Sequence, residues 1–156
     1  MAIRKRKMQA NYIKVGETFE LMGTGFTELN ESPSAQTTSK RYINQASATQ
    51  SVTGYEWTTS FNTDVILSDK VIDFIREIGE LQKTGADVET DYIIVDLDQE
   101  EEGKCRARKI KVAVSVDAFE DNDGEMAITG SLLGVSDIVE GTFDTNALEF
   151  TEKVEG

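Results

Sequence analysis

One stretch constrains what the rest of the chain can be. In residues 68–81, apolar side chains recur at helical spacing. At 100° per residue Val71, Ile72, Phe74, Ile75, Ile78 and Leu81 share one half of the wheel, while Asp69, Lys70, Asp73, Arg76, Glu77 and Glu80 share the other. The pattern predicts a helix over residues 68–82 with the first set as its core face. Ser68 is positioned to cap the N-terminus, Asp69 to complement the dipole, and Lys83 followed by Gly85 to stop the helix. A helix this short does not hold together alone in water, so its apolar half must lie against something else. Everything around it reads as strand and turn, which makes that partner a sheet.

The strands show themselves by alternation. Tyr12, Ile13 and Val15, then Phe19 and Leu21, lead to a Gly23-Thr24-Gly25 break. That break lacks the third glycine and following helix of a dinucleotide site, and reads as a bulge or close backbone approach. Residues 52–63 place Tyr55, Trp57, Thr59 and Phe61 on one face, expected to be core. Residues 92–97 form a nearly continuous apolar run, residues 98–103 an acidic hairpin tip, and residues 106–116 a return strand with Ile110, Val112, Val114 and Val116 inward. Asp121-Asn122-Asp123-Gly124-Glu125 has acids at the wrong offsets for a calcium loop. It reads as a hairpin turn with Asn122 and Gly124 at positive φ. Strands over 126–133, 138–143 and 148–151 complete the chain. The expected fold is mainly β: a β-sandwich or barrel-like domain over residues 1–156 with one flanking amphipathic helix and a long extended loop.

That loop, residues 33–51, is rich in Ser, Thr, Gln, Asn and Ala. Its only charges are Lys40 and Arg41, its only large apolar pair is Tyr42-Ile43, and it contains no acid. The chain carries 29 acidic against 16 basic residues, a net charge of −13, so a segment of this length without acid stands out. It is either a flexible linker or an arm that docks on a neighbour; the exclusion of acids favours the arm. Residues 1–10 have no apolar periodicity and read as a second arm. Charge is segregated: Arg4, Lys5, Arg6, Lys7 and Lys14 precede the first acid, and Lys104, Arg106, Arg108, Lys109 and Lys111 form a second block. Such segregation fits either solvated strand faces or a surface that meets a copy of itself.

The chemistry the sequence lacks is equally informative. It has no histidine, no phosphate-binding loop and no nucleophile elbow, and its one cysteine, Cys105, lies in the basic strand with no base to activate it. No catalytic residue, cofactor site or metal site is expected. The net charge argues against tight nucleic-acid binding. No apolar run is long enough to cross a bilayer, and no signal peptide follows the basic N-terminus.

Taken in order, the basic arm, the hairpin, the polar loop with Lys40-Arg41-Tyr42-Ile43, and Ser51-Val52-Thr53-Gly54-Tyr55-Glu56 precede the helix. Lys83-Thr84-Gly85-Ala86-Asp87, the basic strand and Val139-Glu140-Gly141-Thr142-Phe143-Asp144 follow it. This order resembles the major tail tube proteins of long-tailed bacteriophages with non-contractile tails, a group related to tube proteins of contractile tails and tail-like bacteriocins. The resemblance implies a structural virion protein, made in the bacterial host cytoplasm. It implies stacked hexameric rings that form the tail tube and conduct DNA. The partners it implies are other copies of the chain, tape-measure, tail-terminator and distal tail proteins, with double-stranded DNA as passing cargo. By the same resemblance the long loop and a terminal arm bridge adjacent rings, which assigns inter-ring contacts to Arg4, Lys5, Arg6, Lys7, Lys40, Arg41, Tyr42 and Ile43. The competing reading is a non-catalytic ligand-binding β-sandwich adaptor, for which an exposed aromatic rim would speak.

Overall fold

In a computed structural model, which describes residues 4–23, 25–67 and 69–153, the chain is mainly β with one α-helix. The strands are β1 (Gln9–Val15), β2 (Thr18–Leu21), β3 (Phe26–Ser32), β4 (Ala35–Lys40), β5 (Thr49–Tyr55), β6 (Thr58–Asp64), β7 (Glu89–Glu101), β8 (Lys104–Asn122), β9 (Glu125–Gly134), β10 (Val139–Asp144) and β11 (Glu149–Glu152), with helix α1 (Lys70–Glu80) between β6 and β7. Nine strands form one antiparallel sheet in the order β2-β1-β7-β8-β9-β6-β3, with β10 joined to β8 and β11 to β10; β4 and β5 pair only with each other.

The 19-residue β8 is the spine. One edge pairs with β7, while the other serves β10 from Cys105 to Lys109 and then β9 from Val112 onward. The sheet therefore splits along β8 into two curled halves. In a flat sheet β2 and β10 would lie about 19 Å apart, four steps of roughly 4.8 Å. Instead Phe19 and Phe143 meet edge to face with ring centroids 5.9 Å apart, so this half is rolled.

The apolar run in β7 is buried because it feeds two cores. Tyr92 and Ile94 point into the larger core with Ile13, Trp57, Phe61, Ile110, Val112, Val114, Ile128 and Leu132. Ile93 and Val95 point into a smaller one with Tyr12, Cys105, Ala107 and Phe143. A strand covered on both faces needs no polar alternation. Helix α1 closes the larger core, packing on β8, β1 and β2 through Val71, Ile72, Ile75 and Ile78, all buried, with Phe74 half-buried beside them.

The helix ends differ from the sequence expectation. Ser68 lies outside the described residues; the cap is Asp69, whose Oδ1 accepts from the backbone N–H of Val71 (3.0 Å) and Ile72 (3.2 Å). At the other end Gln82 takes φ +50°. The N–H of Lys83 donates to Ile78 O and that of Gln82 to Gly79 O, a Schellman closure with Gln82, not glycine, in the left-handed position. The helix thus stops before Leu81, which leaves the helical wheel and stands 65% exposed, not in the core face.

Three further readings change. Residues 52–63 are two strands belonging to two sheets: Tyr55 pairs with Ala35 in the β4–β5 hairpin and is exposed, whereas Trp57, Thr59 and Phe61 are core. The acidic segment 98–101 continues β7, and the turn is only Glu102-Gly103, both at positive φ. In the β8–β9 turn positive φ angles fall at Asp123 and Gly124, and Asp121 Oδ1 accepts from Gly124 N at 2.8 Å.

Candidate assembly surface

The residues assigned by sequence to inter-subunit contact fall in two separate places, and no hydrogen bond or ion pair joins them among the described residues. The first is the β4–β5 hairpin. Sequence reading made residues 33–51 a loop; they are mostly hairpin because Thr-rich segments of matched length can pair, with Thr37 opposite Val52 and Lys40 opposite Thr49. Every residue of β4 is exposed, as is all of β5 except Gly54. The hairpin therefore has no covered face. Its large apolar side chains, Tyr42, Ile43, Val52 and Tyr55, lie in water. The tip is shaped by Gln45, whose carbonyl accepts from Arg41 Nε (3.2 Å) and whose side-chain oxygen accepts from Tyr42 N (3.2 Å); Lys40 Nζ sits 5.4 Å from the Tyr42 ring centre.

The second place is the N-terminal segment, which folds back on its own chain. Residues Arg6–Met8 make a 3₁₀ turn into β1. Arg4 binds the Asp96 carboxylate and approaches Asp98 at 3.6 Å. Arg6 donates to Asn11 Oδ1 at 2.6 Å, and Asn11 Nδ2 donates to the buried Tyr92 hydroxyl at 2.5 Å. Lys5 and Lys7 are exposed.

These contacts belong to a charged layer at one end of the larger core, and strand parity explains it. Along β8, Arg106 and Arg108 share the face that Ile110, Val112 and Val114 continue into the core. Arg106 bridges Asp96 (2.7 Å) and Glu140 (3.0 Å), and Lys153 reaches the other Glu140 oxygen at 3.1 Å. Arg108 makes a forked contact with Glu31 (3.0 and 3.2 Å), which also accepts from the Trp57 indole at 2.5 Å. Lys109, on the opposite face, lies 5.2 Å from the Phe150 ring centre. The basic strand is thus neutralised mainly by acids of β7, β3 and β10, not by the hairpin tip beyond Asp98.

Asp96 is the one buried carboxylate of this layer, 2% exposed. Burial pushes its pKa up, but hydrogen bonds from Arg106 and Arg4, with their charges, outweigh that and hold it below the usual value. Exposed Glu140 is likewise held low, by Lys153 and then Arg106. Burial raises the Tyr92 hydroxyl and the Cys105 thiol, so both stay protonated at neutral pH. The sequence reading assigned no specific ion-pair partner to Asp96, Glu140, Glu31 or Lys153. One signal was available for Asp96: it continues the inward parity of Tyr92 and Ile94, where an acid must be paired. The Glu140, Glu31 and Lys153 partners depend on strand order, which local patterns do not carry. Among the described residues no helix is long and apolar enough to cross a membrane.

No family model matches the chain, and no curated protein sequence matches it. Solved structures do match. One is a subunit from the tail of an empty gene transfer agent (GTA) particle, obtained with helical refinement and C6 symmetry. It is 12% identical, with a TM-score of 0.64 over 87% of this chain and 97% of that one. The likeness is one of fold: the chain shares the architecture of that tail subunit.

Proposed function

We propose that this chain is a structural tail protein that polymerises as stacked hexameric rings into the tube of a phage-like particle, and that it performs no catalysis. The observation that carries this is the β4–β5 hairpin. An isolated two-stranded hairpin is at best marginally stable in water, and this one leaves both faces and its apolar side chains uncovered. It is built to be covered by another molecule. The tail fold supplies the class of molecule, since the matched subunit comes from a C6-symmetric tail in which copies of one chain meet copies. In this reading the hairpin tip, with Lys40, Arg41, Tyr42 and Ile43, and the segment with Arg4, Lys5, Arg6 and Lys7, lie between rings. The net charge of −13 then suits a conduit through which DNA slides without being gripped.

The test is deletion of residues 40–50. Because β4 and β5 pair with no other strand, the nine-stranded sheet is expected to survive, giving soluble protein with native circular dichroism. Negative-stain microscopy should then show no tubes; tubes of ordinary length refute the assignment.

A further inference from the structure

The hairpin that needs a cover has a complementary surface on the same chain. Between the β7–β8 turn and the β10–β11 hairpin lies an open groove of about 670 Å³, lined among others by Gln99, Glu100, Glu101, Lys104, Gly141 and Thr151. The groove exists because β7 carries three extra residues: Asp96 faces Arg106 while Glu100 faces Cys105, so residues 97–99 bulge away from β8. Its charge balance is set by which side chains are already committed. Arg106 and Lys153 are both spent on Glu140, and Arg106 also on Asp96. Among the described residues Glu100, Glu101, Glu102 and Glu152 have no ion-pair partner, against one uncommitted lining cation, Lys104, so the groove carries a net negative charge.

The arm is its counterpart. Between Glu31 and Glu56 the sequence contains no acid, and Lys40 and Arg41 sit at the tip of the hairpin. Neither makes an ion pair among the described residues; Lys40 rests over Tyr42, and Arg41 spends one N–H on Gln45. Six strand residues at roughly 3.4 Å each carry the tip about 20 Å outward, enough to reach a neighbouring molecule.

We propose that the β4–β5 hairpin of one subunit seats in the groove between the β7–β8 turn and the β10–β11 hairpin of a second copy, with Lys40 and Arg41 meeting Glu100, Glu101 and Glu102. This rests on the tail-tube reading and names the surface that receives the arm. Opposite charge steers the tip and fixes its register, and the apolar Tyr42 and Ile43 leave water as the tip is covered.

Charge exchange tests it. The full-length chain is made as Lys40→Glu/Arg41→Glu, as Glu100→Lys/Glu101→Lys, and with all four changes, each checked for native circular dichroism and assayed by sedimentation and negative-stain microscopy. Each double variant sets like charges against each other and should lower tube yield at least about tenfold. The four-fold variant, and an equal mixture of the two double variants, should recover tubes. Tubes undiminished by either double change overturn the groove while leaving the tail-tube reading intact, and so does loss that neither combination nor mixing repairs. A wild-type chain that forms neither rings nor tubes at any concentration overturns the tail-tube reading and the groove with it.

Discussion

Truncation of Ile75 compared with truncation of Leu81 tests how the helix is held on the sheet. Both residues lie on the apolar half of the sequence-derived wheel, yet Ile75 is 0% exposed and Leu81 65% exposed. Ile75→Ala removes three carbons from the larger core. At about 0.8 kcal/mol per buried carbon the transfer loss is about 2.4 kcal/mol. Incomplete collapse around the vacated space adds about 1 kcal/mol more, giving about 3–4 kcal/mol. Leu81→Ala removes the same number of carbons, but only about a third of their area is buried, so the loss is about 0.8 kcal/mol. For a chain of this length the two variants should differ by roughly 5–12 °C in Tm. Urea denaturation followed by fluorescence of the single Trp57, itself buried in that core, reads the difference directly. Equal losses would refute both the end of the helix before Leu81 and the placement of Ile75 between the helix and the sheet.

The charged layer predicts a pH dependence. Asp96 is held below its usual pKa, so its contribution is complete above the unfolded-state value near pH 4 and is lost as pH falls through the lower folded value. Urea midpoints measured from pH 6 down to pH 2 should fall for the wild type, and the slope should be shallower in Asp96→Asn; parallel curves would contradict the pairing with Arg4 and Arg106. At the helix end, Gln82→Gly should stabilise the chain by about 0.5–1 kcal/mol, since glycine takes the left-handed conformation without a Cβ clash. An unchanged or lower urea midpoint would mean that Gln82 does not hold that conformation in solution.

Sequence alone determined whatever follows from periodicity within one element. The 3.6-residue pattern located the helix to within two residues at each end, because burial of one face imposes it on composition. An apolar run marked the buried part of β7, alternation located the inward residues Ile110, Val112 and Val114 of β8, and composition marked the acid-free arm as unlike the rest of the chain. What tertiary structure decided is everything set between elements. That Tyr55 is wet and Trp57 buried depends on a change of sheet between them, and nothing in the alternation of residues 52–63 records it. The pairing of β4 with β5 was hidden because Gln36, Thr37, Thr38, Ser39 and Lys40 are polar on both faces of β4, so no alternation betrays a strand there. The partners of the basic strand, Asp96, Glu31 and Glu140, are brought to it by strand order and by the curl of the sheet along β8. Long-range pairing of this kind leaves no local trace, because each side chain is chosen for a neighbour many residues away.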